Sequence, residues 1–165
     1  MTLIAPHYGP GGVSRRSLVL GAGALGLAGV VRADGVGLLP MATSLPQHLA
    51  SALRQGNPLV VMVSLPGCPF CKVARENYLA PLLREQRLPI VQVDMLAQQP
   101  LVGFLGAGTT HDAQVHAWGV KVAPTVLFFG RGGAECAGRL VGGMLPDFYG
   151  AYLDQRIATA RKTLS

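Results

Sequence analysis

Two cysteines in the tetrad Cys68-Pro69-Phe70-Cys71 are the residues whose types and spacing could do chemistry. At the start of a helix they would lie one turn apart on the same face, close enough to form and break a disulfide. The apolar run Leu59–Val63 before them indicates a buried strand. The tetrad therefore predicts thiol–disulfide chemistry, with Cys68 and Cys71 as the catalytic pair.

The position of Cys68 favours it as the nucleophile. Free N–H groups and the dipole at a helix N-terminus stabilise a thiolate, which is the form that attacks a disulfide. The exchange would pass through a mixed disulfide at Cys68, and the deeper, less exposed Cys71 would resolve it. Pro69 and Phe70 are expected to tune the redox potential through the electrostatics around Cys68. They supply no positive charge of the kind a His would give, which favours a moderate potential.

A metal site is the alternative use of two neighbouring thiols. Half of a zinc site needs two further ligands, and the sequence has no second C-x-x-C and no paired His. Only an unusual fold would recruit His111, His116 and Cys136. Lys72 stands where a c-type haem motif needs His. We expect no metal and no cofactor beyond a Cys68–Cys71 disulfide.

The remaining His, Cys and Trp side chains are expected to have structural roles. Cys136 is predicted to be a small buried hydrophobe, with a regulatory or intermolecular thiol as the alternative. His111 and His116 are predicted at the surface or near a helix cap. Trp118 is predicted to be in the core.

The N-terminal segment has the features of an export signal. Arg15 and Arg16 precede an uncharged stretch that reaches Val31, and Val31-Arg32-Ala33 offers small residues for cleavage after Ala33. The paired arginines resemble a twin-arginine (Tat) signal, although Leu18 stands where Phe is usual. We expect removal of residues 1–33 and a periplasmic mature chain without a stable membrane span. An uncleaved segment acting as a membrane anchor is the alternative.

Composition and charge favour one globular domain and exclude a nucleic-acid footprint. Half of the 165 residues are hydrophobic, which suits a chain with a real core. Residues 1–33 carry three arginines and no acid, so their removal lowers the net charge from +6 to +3. The other basic residues are scattered, so we expect no nucleic-acid partner.

The elements that must position the tetrad follow from apolar periodicity and from Gly and Pro punctuation. In the first half we predict a helix over 45–55, a strand over 59–65 and a helix from Pro69 that Pro81 kinks or breaks. A second short helix over 81–86 and a strand over 88–93 follow. An irregular loop follows over 94–108. In the second half we predict a helix capped by Thr109, a hairpin of two strands, and a final helix: residues 110–118, 125–129, 135–141 and 146–162.

This order of elements is typical of an α/β sandwich. With C-P-F-C opening a helix after a strand, and Val122-Ala123-Pro124-Thr125 entering the hairpin, the chain resembles the thioredoxin superfamily over roughly residues 45–162. The resemblance implies a three-layer fold with a central four-stranded mixed sheet and flanking helices. It divides the chain into a signal peptide (1–33), a linker (34–44) and a thioredoxin-like domain (45–165). Within the family, the export signal and the segment 94–118 are most similar to periplasmic SoxW-like or thioredoxin-2-like proteins.

The resemblance also implies a substrate site opposite the tetrad. The family's proline at the position of Pro124 is cis and faces the cysteines, whereas an ordinary trans proline is the alternative. Ala123 and Thr125 would flank it, and the Ala123 backbone would hydrogen-bond an incoming peptide as an added strand. The proline would also keep metals from the thiols.

One departure from the family concerns proton handling. Thioredoxins carry a buried Asp six residues before the first cysteine, where this chain has Met62. A thioether cannot accept the proton of Cys71, so water or another group must do so. Lys72 and Glu76 are near only in sequence, and a solvated helix face is the expected role of both.

The sequence therefore predicts an exported thiol:disulfide oxidoreductase acting on protein thiols and disulfides, leaning towards reductase. A reductase would need a membrane electron carrier, because the periplasm has no thiol buffer of its own. An oxidase would pass electrons outward instead. A periplasmic metallochaperone, or a redox-inert binding module with this fold, is the alternative.

Overall fold

The computed structural model describes residues 38–143 and 146–165. The predicted signal peptide and most of the predicted linker lie outside the described residues. The described elements are α1 (Leu45–Arg54), β1 (Leu59–Ser64), α2 (Pro69–Val73), a π-helical segment (Ala74–Leu79), α3 (Ala80–Glu85), β2 (Ile90–Asp94), β3 (Pro100–Val102), β4 (Gly108–Thr110), α4 (His111–Ala117), β5 (Thr125–Phe129), β6 (Leu140–Val141) and α5 (Pro146–Leu164).

The central sheet has four strands in the order β2-β1-β5-β6. Strand β1 runs parallel to β2 and antiparallel to β5, and β5 pairs antiparallel with β6. Every residue of β1 is buried, because this strand is central and both sheet faces are covered. The result is the three-layer α/β sandwich with a mixed sheet that the sequence predicted.

Alternation along β1 divides the core into two parts. Val60 and Met62 point to one face, which α2, α3 and α5 cover, and we call this the tetrad face. Val61 and Val63 point to the other face, which α1, α4 and the β3–β4 hairpin cover, and we call this the opposite face. The predicted inner stripe of α5 is buried on the tetrad face: Tyr149, Leu153, Ile157 and Ala160.

Pro81 does not break the helix as predicted. The helical backbone continues through it, and the segment just before it is π-helical, with the Ala80 N–H donating to the carbonyl oxygen of Arg75. Pro81 thereby falls in the first turn of α3. The shift from i→i−4 to i→i−5 hydrogen bonds just before the proline changes which carbonyl oxygens are used, and the helix continues without the N–H that Pro81 lacks.

The segment predicted as an irregular loop over 94–108 contains an antiparallel hairpin of two three-residue strands, β3 and β4. The N–H of Val102 donates to the carbonyl oxygen of Thr43 at 3.0 Å, which ties the hairpin to the chain before α1. The helix after it begins one residue later than predicted, since the hydroxyl of Thr110, and not of Thr109, caps the N–H of Ala113 at 3.2 Å.

The returning strand of the second hairpin is shorter than predicted. A single bridge joins Glu135 to Phe129, and continuous pairing is confined to Leu140–Val141. No helix among the described residues is long and apolar enough to cross a membrane.

Candidate active site

The tetrad lies at the junction of β1 and α2. Cys68 is the N-cap residue of α2 and has extended backbone angles, while Pro69 takes the first helical position. The backbone N–H of Cys71 donates to Sγ of Cys68 at 3.3 Å. Cys71 is fully buried on the tetrad face, whereas Cys68 is half-buried and Phe70 is 55% exposed. The fold thus presents one sulfur to solvent and keeps the other beneath it.

The surroundings of the two sulfurs drive their acidities apart. Burial acts to raise the pKa of Cys68, but hydrogen bonds from Cys71 and from the backbone N–H of Phe70, with the charge of Arg75, outweigh it and hold that pKa below its ordinary value. Burial, and then the hydrogen bond to Cys68, raise the pKa of Cys71 to about 11, although Leu65 and Ser64 oppose the rise. Cys68 therefore loses its proton more readily than Cys71 does.

The segment before β5 faces the tetrad. The Ala123–Pro124 peptide bond is cis, and Sγ of Cys68 lies 3.9 Å from the carbonyl oxygen of Ala123. Pro124 is buried, and its carbonyl oxygen accepts the N–H of Gly142 at 2.7 Å. The hydroxyl of Thr125 is turned away and donates to the carbonyl oxygen of Val122 at 2.7 Å. Its side chain therefore holds the turn before β5.

Phe70 reaches the same place from the other side. A Cβ on Gly143 would lie 3.4 Å from Cβ of Phe70 and 3.6 Å from Cγ of Pro124. These are ordinary van der Waals distances, so Gly143 lies directly beside both side chains. The structure thus brings Cys68, Phe70, Ala123 and Pro124 together at one surface, with Cys71 beneath.

Met62 occupies the expected position under the tetrad and is fully buried. The polar groups on this face come from other residues, which the sequence interpretation missed. Nη1 of Arg75 donates to Oε1 of Gln92 at 3.0 Å, and Nε2 of Gln92 donates to Oδ1 of Asp94 at 2.7 Å. Ser64 is also buried on this face.

Two signals in the sequence could have indicated these residues. Gln92 is the one amide within the otherwise apolar run of strand β2. Arg75 stands four residues after Cys71, on the same helical stripe. By contrast, Lys72 and Glu76 are solvent-exposed, as expected of a solvated helix face.

Tyr149 is a further buried group near the tetrad. Its ring centroid lies 4.9 Å from that of Tyr78, and its hydroxyl has no hydrogen-bond partner among the described residues. Burial, and to a lesser degree the nearby Cys71, raise the pKa of Tyr149 far above its usual value, so the phenol stays neutral. It lines a small pocket with Phe70, Val73, Ala74, Tyr78 and Gly143.

His111 is not at the surface or in a cap role, contrary to the prediction. Its ring is fully buried. Nδ1 accepts the backbone N–H of Asp94 at 3.1 Å, so Nε2 carries the proton and donates to the carbonyl oxygen of Ala42 at 2.8 Å. The imidazole joins α4, the end of β2 and the segment before α1, which is a structural role.

The other candidate side chains lie apart from the tetrad or at its edge. His116 is exposed, with Nε2 3.6 Å from Oδ1 of Asp112. Cys136 is half-buried rather than buried, its Sγ is 3.4 Å from the carbonyl oxygen of Phe128, and burial raises its pKa. Trp118 packs partly buried against the opposite face. Within the described ranges, no three His, Cys, Asp or Glu side chains form a group that could hold a metal.

Comparison with known proteins gives a family for the domain. The sequence model of the family described as a thioredoxin-like domain matches residues 45–157. No curated protein matches the chain. Among solved structures, a DsbH oxidoreductase aligns at 17% identity with a TM-score of 0.51, covering 77% of this chain and 88% of that one. This likeness shows the fold.

Two other solved structures give lower TM-scores. Mitochondrial thioredoxin 3 from Saccharomyces cerevisiae aligns at 17% identity with a TM-score of 0.49, covering 73% of this chain and 93% of that one. The periplasmic thioredoxin SoxS from Paracoccus pantotrophus aligns at 27% identity with a TM-score of 0.42, covering 62% of this chain and 98% of that one.

Proposed function

The chain belongs to the thioredoxin-like domain family, and on this premise we propose that it is a thiol:disulfide oxidoreductase acting on protein substrates through Cys68 and Cys71. The observation that carries the proposal is the inequality of the two sulfurs. Cys68 is accessible and has a lowered pKa, while Cys71 is buried and has a raised one. A two-step exchange needs a nucleophile that gives up its proton more readily than the resolving thiol does, and this order is the one that the two sulfurs have.

In the reducing direction the Cys68 thiolate attacks one sulfur of a substrate disulfide. A bond forms between Sγ of Cys68 and that sulfur, and the second substrate sulfur leaves as a thiolate. Cys71 then gives its proton to water and attacks Sγ of Cys68, which releases the first substrate sulfur as a thiolate. The substrate gains two electrons and becomes a dithiol, and the pair Cys68–Cys71 becomes a disulfide.

The surface around Cys68 supports an extended peptide as the substrate. The carbonyl oxygen of Ala123 is 3.9 Å from Sγ of Cys68, so a strand paired with the Ala123 backbone would pass over the nucleophile. Phe70 and Val122 are 55% and 48% exposed beside it and offer apolar contact. Pro69 and Phe70 add no charge of their own, which favours a moderate potential.

We place the reaction in the periplasm, with reduction of substrates as the favoured direction. The support is the sequence of residues 1–33, which has the features of a twin-arginine export signal. In that compartment the oxidised pair would need electrons from a membrane carrier, because no soluble thiol buffer is present there.

Trapping with Cys71→Ser tests the proposal. This variant should retain the substrate on Cys68 as a mixed disulfide, while the variant Cys68→Ser/Cys71→Ser should retain none. Intact cells expressing each variant are quenched with acid, alkylated and resolved without reductant. Adducts that depend on Cys68, together with insulin reduction by the unmodified protein, support the function. Absence of both would contradict it.

A further inference from the structure

A chain of three polar side chains crosses the tetrad face of the sheet. The carboxylate of Asp94 accepts a hydrogen bond from Nε2 of Gln92 at 2.7 Å, and Oε1 of Gln92 accepts one from Nη1 of Arg75 at 3.0 Å. Gln92 is only 6% exposed, and it is paired in the sheet with Met62. An otherwise apolar face therefore carries one organised polar connection, and it ends on a guanidinium.

Gln92 and Asp94, the two members of this series that lie on β2, are held in place by backbone hydrogen bonds. The N–H of Gln92 donates to the carbonyl oxygen of Pro40, and its carbonyl oxygen accepts the N–H of Ala42, both at 2.8 Å. The N–H of Asp94 donates to the buried His111. Because both residues are tied on the outer side of β2, their side chains offer Arg75 a preorganised partner.

The guanidinium end belongs to the helix that carries the thiols. Arg75 stands four residues after Cys71 and seven after Cys68, spacings that share one helical stripe. It is half-buried, and its Nε is buried without a partner among the described residues. Its positive charge also contributes to the lowered pKa of Cys68.

A neutral amide between Arg75 and Asp94 has a specific electrostatic consequence. A direct carboxylate contact would largely cancel the guanidinium charge, whereas Gln92 fixes the guanidinium and keeps the carboxylate one side chain further away. Among the described residues, the other ionisable groups around the tetrad include the exposed Lys72 and Glu76, and Tyr78 with the buried, neutral Tyr149. Arg75 is thus a cation on the helical segment that follows the thiols, and its hydrogen bond to Gln92 holds it in place.

We propose that Arg75 is the charge partner of the Cys68 thiolate, and that Gln92 and Asp94 are positioning residues for its guanidinium. The inference rests on the proposed thiol–disulfide exchange and names the electrostatic device that supports it. A cation near the thiolate favours the reduced, ionised form, so it speeds attack and makes the couple more oxidising. This device acts on a face where Met62 leaves no buried carboxylate.

The first experiment isolates the nucleophile in a Cys71→Ser/Cys136→Ser background. The ultraviolet absorbance of the thiolate is followed against pH, and the alkylation rate is measured at neutral pH, for Arg75→Met and for the matched control Lys72→Met. Arg75→Met should shift the titration of Cys68 to higher pH and slow alkylation about two- to fivefold, the range of a partly exposed charge pair. Lys72→Met removes the same charge from an exposed site nearer to Cys71, and it should change both much less.

The second experiment tests the positioning residues and the charge separately. Gln92→Leu releases the guanidinium without altering the helix, and it should move the titration in the same direction by a smaller amount. Arg75→Lys keeps a cation, so it should retain most of the unmodified behaviour. With both cysteines restored, the reduction potential of the Cys68–Cys71 couple should become more negative in Arg75→Met and change little in Lys72→Met.

Three results would overturn the inference: an unchanged titration in Arg75→Met, a shift of equal size in Lys72→Met, or an unchanged titration in Gln92→Leu. Far-ultraviolet circular dichroism checks that each variant is folded. If Arg75→Met does not fold, the titrations of Gln92→Leu and Arg75→Lys test the inference in its place. Failure of the proposed function would look different. The unmodified protein itself would then reduce no insulin, while the single-thiol titration would still report on Arg75.

Discussion

The two faces of the central sheet treat buried polar groups differently. Three buried side-chain atoms have no hydrogen-bond partner among the described residues, and all lie on helices that cover the tetrad face: Nε of Arg75, the hydroxyl of Tyr149 and Nε of Arg156. On the opposite side the fully buried His111 has both ring nitrogens paired. Incompletely satisfied groups are costly, and native proteins tolerate them mainly where function needs them.

The side chains on the opposite face are also better shielded from solvent than those around the tetrad. Phe104, from the connection between β3 and β4, lies 4.6 Å from Phe129 between ring centroids, and Trp118 lies 5.3 Å from the same ring. The tetrad face instead ends in the exposed Phe70 and the half-buried Cys68. The proposed exchange would use the tetrad face, while the aromatic packing of the opposite face stabilises the fold.

The largest expected effect separates activity from stability on the tetrad face. Cys68→Ser should lower insulin reduction by more than about a thousandfold, because it removes the nucleophile of the exchange. The free energy of unfolding, measured by urea denaturation of the reduced protein, should change by less than about 1 kcal/mol at this half-buried site. Substantial residual turnover would show that the reactivity lies elsewhere.

His111→Ala should show the reverse pattern. It leaves the Asp94 N–H and the Ala42 carbonyl oxygen buried without partners, so unfolding should become easier by about 2–4 kcal/mol. The matched control is the exposed His116→Ala, which should change stability by less than about 0.5 kcal/mol. The alkylation rate of Cys68 in folded His111→Ala should stay within about twofold of the unmodified rate, since the half-buried sulfur keeps its own cap and the lost hydrogen bond at the Asp94 N–H reaches Arg75 only through Gln92. A larger fall would mean that the two faces are not separable.

A pair of adjacent glycines tests the seal of the opposite face. A Cβ on Gly133 would lie 2.6 Å from Cγ of Phe104, whereas a Cβ on Gly132 would meet nothing within 4 Å. Both have positive φ, +75° and +71°, so both alanine variants share the cost of a left-handed backbone, about 1–2 kcal/mol. Gly133→Ala should lower the free energy of unfolding by about 1 kcal/mol more than Gly132→Ala does, as measured by urea denaturation. Equal losses in the two variants would show that Phe104 moves freely.

The last prediction is a pH dependence of stability that comes from Cys71. Its pKa rises to about 11 on folding from an ordinary 9.0, so the folded state holds this proton more tightly. The resulting stability is present below about pH 9 and is lost as the pH rises towards 11. The lowered pKa of Cys68 acts in the opposite sense below pH 9, and Tyr149 adds to the decline at higher pH.

Melting temperatures of the reduced protein across this range provide the measurement, with Cys71→Ala in parallel and Cys136→Ser as the common background. The fall of the melting temperature at alkaline pH should be shallower in Cys71→Ala, because the buried thiol no longer titrates. Identical slopes in the two proteins would argue that the buried sulfur is not desolvated as its position on the tetrad face indicates.

Local pattern was enough for much of this architecture. The apolar run before the tetrad predicted the buried β1, and the spacing of Tyr149, Leu153, Ile157 and Ala160 predicted the inner side of α5. The β3–β4 hairpin was missed, because strands of three residues carry too little alternation to be recognised. They are held by contacts such as Val102 to Thr43, which lie far apart in sequence.

The sequence by itself determined where the two thiols of the tetrad are and which of them is the N-cap residue of a helix, since both follow from four adjacent residues and one turn of geometry. Only the tertiary structure decided which groups surround them. Gln92 reaches Arg75 across 17 positions of sequence and His111 reaches Ala42 across 69, because strand pairing and helix packing bring distant residues together. The thiols are a local property of this chain, and their electrostatic environment is a property of its fold.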